Sequence, residues 1–235
     1  MKIITNLIAL LLFTACSVQQ ISQSIDDYMK SDEPTTDEVA SGLKEALIQG
    51  ITKGSDNASK QDGYFGNSLI RIPFPPDAIK VANTLKDIGM EKEVDRFVMT
   101  LNRGAEEAAK SAQPIFISAI KQMTIQDAWA ILKGEDDAAT QYLKRTTSGQ
   151  LYQAFNPVIK KSLDKVSATK YYGDLVSAYN KVPFVEKVNP DLNDYATNLG
   201  KGQLFTLISQ EEANIRKDPV ARVSALLKKV FGYKG

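Results

Sequence analysis

The sequence predicts an all-α fold, a single irregular multi-helix domain of about ten helices with two extended proline-rich connectors. Three observations predict this class. Apolar residues recur every three or four positions along most of the chain, as they do on one face of a helix. No stretch alternates strictly enough for a sheet, and no internal repeat is visible. A length of 235 residues with 43% hydrophobic content suffices for one well-buried core.

Residues that typically begin or end helices divide the first half of the chain into several predicted helices. Thr35 with Glu38 has the pattern of a capping box, and Thr124 with Asp127 repeats it. Apolar residues between Val39 and Ile51 recur every four positions on one face. Further helices are expected over residues 76–89, 91–112, 114–120 and 124–134.

Capping residues and prolines also mark the expected helix boundaries in the second half of the chain. Asp136 or Asp137 is expected to cap a helix that runs to Phe155, and Asn156-Pro157 is expected to start a separate one. Later helices are expected at residues 170–180, after Asn189-Pro190, at 204–217 and from 218 onward.

Two segments cannot be helical throughout, because each proline biases the residue before it toward extended geometry. The first connector is Leu69–Pro76 and the second is Pro183–Pro190. Side chains alternate along an extended chain. We therefore expect Ile70, Ile72 and Phe74 to pack on helices. Arg71 should point the other way, toward solvent, an acid or, if the connector rims a binding site, a ligand.

The N-terminus has the features of a lipoprotein export signal. Lys2 is followed by an apolar run to Phe13 that is too short to span a bilayer. Phe13-Thr14-Ala15-Cys16 is similar to a lipobox, although Leu is more usual than Phe at its start. The alternative is an ordinary secretory signal with an incidental cysteine. We interpret residues 1–15 as the signal peptide, 16–37 as the lipidated cysteine and its tether, and 38–235 as the helical domain.

The predicted location follows from the residue after the lipidated cysteine. In Gram-negative lipoproteins that the chain resembles, Ser17 instead of Asp favours transfer to the outer membrane over retention in the inner one. The expected location is therefore the outer membrane, facing the periplasm. The expected partners are the membrane itself, contacted through the lipid anchor, and an envelope protein.

Composition excludes several classes of function. The chain has no histidine, so Ser-His-Asp triads, Cys-His dyads and His-ligated zinc are excluded. Cys16 is the only cysteine, which excludes an internal disulfide. Lys2 is the only charge before Cys16, so the mature chain carries 28 charges of each sign. A neutral chain gives no electrostatic reason to expect nucleic acid, and no cofactor or metal is expected.

Two polar clusters have residue types that could form binding sites. Asp136 and Asp137 follow Gly134 and offer oxygen ligands to a hard cation, but acids at a helix start more often cap it. Arg145 with Thr146 offers donors to a phosphate or carboxylate, but a helix surface with a paired arginine is favoured, because no glycine-rich phosphate loop is present.

Two further groups of side chains also have a functional and a structural interpretation. Asp191 and Asp194, taken with Glu211 and Glu212, are carboxylates of the type used in acid–base glycoside chemistry. The favoured alternative is ordinary pairing of these glutamates with Arg216 one helical turn away. Tyrosines between residues 171 and 195 offer a stacking surface for a sugar or peptide, but at helical spacing they are more often core.

Several phrases along the chain resemble a family of bacterial proteins, domain-of-unknown-function family 4197. The phrases are Leu69–Pro73, Ala119–Thr124, Asp136–Leu143, Arg145–Thr147, Tyr179–Phe184, Asn189–Leu192 and Leu226–Gly232. Many members similarly begin with a lipoprotein or secretory signal. The resemblance implies an envelope location and a helical fold, and it implies no activity.

The favoured function is a non-catalytic envelope lipoprotein whose helical domain binds a protein or envelope component. One alternative is a His-free, carboxylate-dependent envelope hydrolase, which requires a concave pocket holding at least two acids with raised pKa values. Another is a small-ligand-binding lipoprotein, which requires a large apolar cavity.

Overall fold

The computed structural model describes residues 34–87, 89–165, 167–181, 183–184, 187–218 and 224–232. The predicted signal peptide, Cys16 and most of the tether lie outside these ranges. The helices, numbered in chain order, are α1 (Thr36–Ser59), α2 (Ile79–Asp87), α3 (Glu91–Ala109), α4 (Ala112–Lys121), α5 (Ile125–Leu132), α6 (Ala138–Asp164), α7 (Ala168–Tyr179), α8 (Leu192–Lys217) and α9 (Ala225–Gly232). A short 3-10 turn over Pro76–Ala78 precedes α2.

The described ranges contain no strand, which confirms the all-α prediction, and they hold fewer helices than expected. The predicted break at Asn156-Pro157 is wrong, because α6 is continuous through Pro157. A proline inside a helix costs about 3 kcal/mol. Here Phe155 and Ile159 are fully buried on either side of it. Burial of such a row outweighs the proline and keeps the helix whole. Residues 192–217 likewise form one helix instead of two.

Small residues on α1 let neighbouring helices approach it closely. Gly42, Ala46, Gly50 and Gly54 follow one another every four positions, so they share one face of the helix. A methyl group built on Gly42 would lie 2.8 Å from a methyl carbon of Val230 in α9. This face of α1 packs against α8 and α9, while α6 packs against α3 and α8 in the centre of the domain. None of the described helices is both long enough and apolar enough to cross a membrane.

The first connector packs as its alternation predicts. Ile70 and Ile72 are 0% exposed, Phe74 is half-buried and Arg71 is exposed. The buried Asn102 of α3 satisfies the backbone of Ile72, accepting from its N–H at 2.8 Å and donating to its carbonyl oxygen at 2.8 Å. One amide side chain thus replaces the strand partner that an extended segment otherwise needs.

The second connector is held by the same device. The side chain of Asn180, just after α7, donates to the carbonyl oxygen of Val188 at 2.7 Å and accepts from its N–H at 2.8 Å. The two contacts bring the start and the end of the connector together. Both proline-rich segments are therefore fixed by an asparagine that bonds both polar groups of one backbone residue.

Aromatic rings join the two connectors. Phe74 of the first connector lies 4.8 Å from Phe97 of α3, and Phe97 lies 6.4 Å from Tyr172 of α7, measured between ring centroids. The Tyr172 hydroxyl donates to the carbonyl oxygen of Asn189 in the second connector at 3.4 Å. These rings fill the region between the two connectors. Both connectors therefore pack on the helices through aromatic side chains.

The packing of the first connector has a measurable consequence. Changing Ile72 to alanine should lower the free energy of unfolding by about 2–5 kcal/mol, the range for truncating a buried isoleucine. Changing Arg71 to alanine should alter it by less than about 1 kcal/mol, because this side chain is exposed. Urea denaturation of both variants measures the difference. A melt of the Ile72 variant that matches the parent would show that the connector is not packed.

Candidate functional site

A buried carboxylate on α8 caps the start of α6. Glu212, with a side chain 5% exposed, accepts from the backbone N–H of Ala139 at 3.0 Å and that of Thr140 at 2.9 Å. It also accepts from the Thr140 hydroxyl at 2.8 Å. Free N–H groups at a helix start need acceptors, and here the acceptor comes from a helix more than 70 residues away.

Arg216, one turn along α8, completes this cluster. Its guanidinium donates to Glu212 at 2.9 and 3.1 Å and to the carbonyl oxygen of Ile131, in the last turn of α5, at 2.8 Å. The predicted pairing of Glu212 with Arg216 is therefore confirmed. The pair also joins the end of α5 to the start of α6. We call these residues the Glu212 cluster.

The prediction that Asp136 or Asp137 caps α6 is wrong. Asp137 occupies the N-cap position but its side chain makes no capping hydrogen bond, because Glu212 already takes the first free N–H groups. The Asp137 carboxylate instead accepts from the Gln141 side chain at 2.8 Å. Asp136 pairs with Lys217 at 2.6 Å, and this contact lowers the pKa of Asp136.

A second buried carboxylate fixes the turn between α1 and the first connector. Glu106 of α3 accepts from the backbone N–H of Tyr64 at 3.2 Å and that of Phe65 at 3.1 Å. Arg103 donates to its other oxygen at 2.6 Å and to Asp62 at 2.7 Å. We call these residues the Glu106 cluster.

The turn that Glu106 holds is tightly built. The hydroxyl of the fully buried Tyr64 donates to the carbonyl oxygen of Gly200 at 2.8 Å, and burial raises the Tyr64 pKa far above its ordinary value. A methyl group on Gly63 would lie 2.3 Å from the carbonyl oxygen of Asn57, so only glycine fits there. No candidate site predicted from the sequence includes this turn. The available signal was an acid, Glu106, on the buried face of an amphipathic helix.

Arg71 stacks on the same turn. Its guanidinium carbon lies 4.3 Å from the centre of the Phe65 ring, and that of Arg103 lies 5.7 Å from it. The structure therefore places Arg71 against an aromatic face. Cation–π contacts at exposed sites contribute about 0.5–1 kcal/mol.

Arg145 and Thr146 lie on the surface of α6. The Thr146 hydroxyl donates to the carbonyl oxygen of Tyr142 at 2.9 Å, and the Arg145 guanidinium lies 5.5 Å from the centre of the Tyr142 ring. The threonine hydrogen is thereby engaged by its own helix, and the two side chains do not form a common cradle. Burial raises the pKa of Tyr142.

The acids proposed for paired catalysis lie at opposite ends of α8. Asp191 caps the helix by accepting from the backbone N–H of Asp194 at 2.9 Å. Tyr152 donates to Asp194 at 2.8 Å, and this bond raises the pKa of Tyr152. At 1.5 Å per residue, the 18 residues from Asp194 to Glu212 span about 27 Å, far more than any pair of glycosidase carboxylates requires. Glu211 pairs with Lys53 at 2.7 Å.

The tyrosines do not form a common stacking surface in the described residues. Tyr172 is buried among the connector aromatics. The Tyr195 hydroxyl donates to the carbonyl oxygen of Pro73 in the first connector at 3.3 Å. The side chains of Tyr171 and Tyr179 lie outside the description.

One small cavity lies beside the Glu212 cluster, between α1 and α8. Its lining includes Leu47, Ile51, Ile208 and Phe231, with Glu212 and Arg216 at one end. Its volume of about 20 Å³ has room for about one water molecule. A small organic ligand needs a cavity more than ten times larger.

Among the described residues, four acids have clearly shifted pKa values, and all four are lowered. The main cause at Glu38 is a hydrogen bond from Lys229, and at Asp127 it is one from Thr124. The main cause at Asp136 is a hydrogen bond from Lys217, and at Asp164 it is one from Lys160. A general acid at neutral pH needs the opposite shift. Among the described residues, no group of three or more acids or cysteines is placed to hold a metal ion.

The fold and these clusters define an all-helical domain in which Glu106 and Glu212 hold a turn and helix ends. The chain belongs to the family described as protein of unknown function (DUF4197), whose model matches residues 33–232. This match confirms the resemblance found in the sequence. No curated protein and no solved structure was found to match the chain.

Proposed function

We propose that this protein is a non-catalytic lipoprotein of the bacterial envelope, in which acyl chains on Cys16 hold a rigid helical domain that binds an envelope protein. The expected position is the periplasmic face of the outer membrane. The observation that carries the non-catalytic part is the engagement of both well-buried glutamates, Glu106 and Glu212, in structural hydrogen bonds.

Both oxygens of each of these glutamates already accept hydrogen bonds. One oxygen of Glu212 accepts from Ala139 and Arg216, and the other accepts twice from Thr140. Glu106 accepts from two backbone N–H groups and from Arg103. A general acid or base must instead face the proton that it transfers. These two carboxylates therefore support the architecture, and within the part of the chain that the structure describes they leave the hydrolase alternative without a buried acid to use.

An activity assay distinguishes the non-catalytic lipoprotein from the hydrolase alternative. The purified protein should not turn over peptidoglycan, ester or glycoside substrates. Turnover that disappears when a single half-buried carboxylate such as Asp194 is changed to asparagine, with the melting temperature unchanged, would establish the hydrolase instead.

The anchor makes a separate prediction. Changing Cys16 to serine should abolish incorporation of radiolabelled palmitate and release the processed domain from the membrane fraction, because the thiol is the attachment point and several acyl chains are needed for stable anchoring. Changing the neighbouring Ser17 to alanine is the matched control and should leave labelling intact. Changing Ser17 to aspartate should move the protein to the inner-membrane fraction. Membrane retention of a correctly processed serine variant would refute the anchor.

A further inference from the structure

Arg71 is a surface cation that the fold holds in place but does not pair. Its guanidinium carbon lies 4.3 Å from the centre of the Phe65 ring, and the residue is exposed. Among the described residues, no acid or hydrogen-bond acceptor engages this guanidinium. Ile70 and Ile72 on either side are fully buried, so the backbone that carries Arg71 is fixed to the domain. An arginine held in this way has less conformational freedom to lose when a partner binds it.

The contact with Phe65 leaves the hydrogen-bonding edge of Arg71 available. A guanidinium over an aromatic ring typically contacts it with its flat face, whereas its N–H donors point outward in the plane of the group. A carboxylate that accepts from two of these donors lies in the same plane. Stacking on the ring and pairing with an acid are therefore compatible.

Arg103 shows what a guanidinium near this ring binds. Its guanidinium carbon lies 5.7 Å from the centre of the Phe65 ring, and its donors contact Glu106 at 2.6 Å and Asp62 at 2.7 Å. Two arginines thus lie near one ring, but only Arg103 has acidic partners in the part of the chain that the structure describes. The domain supplies carboxylates to one guanidinium and leaves the other available to an acid from a second molecule.

The local charge favours a single carboxylate over a phosphate. Arg71 and Arg103 carry two positive charges, and Asp62 and Glu106 carry two negative charges. These four side chains together have no net charge. A phosphate monoester, with about two negative charges, or an anionic membrane surface therefore finds no net attraction here. One carboxylate matches the one guanidinium that lacks an acid.

We propose that Arg71 pairs with an aspartate or glutamate side chain of the envelope protein that the domain binds, while its guanidinium rests on Phe65. Leu69, two residues before Arg71, is 46% exposed and offers an apolar contact beside the charge. Arginines and aromatic residues are frequent among those that contribute most to protein interfaces. This inference rests on the proposed function, because it names the surface through which the proposed binding occurs.

The experiment uses the lipidated full chain in the cell envelope, with a photoreactive benzoylphenylalanine in place of Leu69. We expect a cross-link to an envelope protein. Arg71→Gln should lower its yield about ten-fold, the effect of losing one hydrogen-bonded charge pair from an interface. Arg71→Lys keeps the charge but lacks the planar fork of donors, so it should also lose most of the yield. Arg96→Gln changes an exposed arginine of α3 that has no acidic partner within the described ranges, and this control should cross-link like the parent.

A charge swap tests the chemistry of the contact. The cross-linked peptide locates the contact on the partner, and the acid nearest to the cross-link is changed there to arginine. This change should lower the yield as Arg71→Gln does. Combining it with Arg71→Glu should restore the yield, because the ion pair then forms with its charges exchanged. Failure of the swap to restore the cross-link would overturn the assignment of a carboxylate.

The remaining outcomes distinguish the inference from the proposed function. Equal yields from the Arg71→Gln chain and its parent would overturn the inference and leave binding to an envelope protein in place. Binding of the unlipidated Cys16→Ser chain to phosphatidylglycerol vesicles that is lost with Arg71→Gln would show that the ligand is a lipid phosphate, which also overturns the inference. If neither the photoreactive residue nor a general amine cross-linker joins the chain to any envelope protein, the proposed binding function fails as well.

Discussion

Changing Glu212 to alanine should lower the free energy of unfolding by about 3–5 kcal/mol, the cost of removing one partner of a buried ion pair. The change leaves the N–H groups of Ala139 and Thr140 without their acceptor. It also removes the carboxylate that pairs with the guanidinium of Arg216, whose side chain is only 11% exposed. Urea denaturation, followed by circular dichroism, measures the loss.

The neighbouring glutamate provides the matched control. Glu211 lies next to Glu212 on α8 and pairs with Lys53, whose side chain is 59% exposed. The Glu211 side chain itself is 17% exposed, but its removal leaves no buried charge because the Lys53 ammonium stays in solvent, and surface pairs contribute about 0–1 kcal/mol. The Glu211→Ala variant should therefore unfold within about 1 kcal/mol of the parent. Equal losses for the two alanine variants would contradict the capping role assigned to Glu212.

Changing Glu106 to alanine is expected to cost about 2–5 kcal/mol. Two backbone N–H groups, of Tyr64 and Phe65, lose a charged acceptor, and a buried unsatisfied donor costs about 1–3 kcal/mol. Because Tyr64 also anchors the turn to Gly200, loosening should spread to α8. Hydrogen exchange should show faster exchange of the Tyr64 amide, beyond what the global loss of stability explains.

Glu107 is the control for this second change. It follows Glu106 directly, but its side chain is 57% exposed and pairs with Lys110. The Glu107→Ala variant should change the free energy of unfolding by less than about 1 kcal/mol. If the Tyr64 amide in the Glu106 variant kept its full protection from exchange, the hydrogen bonds that this turn donates to Glu106 would not be what fixes the turn.

The expected losses of stability identify Glu106 and Glu212 as residues that maintain the fold. A variant at Glu106 or Glu212 should weaken every property of the protein together, because it destabilises the fold. Functional screens of this protein are therefore interpretable only when stability is measured beside them.

Interactions within one helical turn could be predicted from the sequence. The capping boxes of Thr35 with Glu38 and of Thr124 with Asp127 form as predicted. Their donors and acceptors lie three residues apart, so they need no information from elsewhere in the chain. The alternation of Ile70, Arg71 and Ile72 is equally local, because proline sets the extended backbone and the backbone sets the side-chain directions.

Tertiary structure decided the contacts that join distant helices. Local spacing predicts that Asp136 or Asp137 caps the N-terminus of α6, but the carboxylate that accepts from its free N–H groups is Glu212 of α8. Asn102 meets the first connector from 30 residues away, and Glu106 meets its turn from about 40. Acids and amides of this kind are common on helix surfaces. Only the packing of α3, α6 and α8 determines which of them is buried, and burial is what makes an acceptor for a free N–H indispensable.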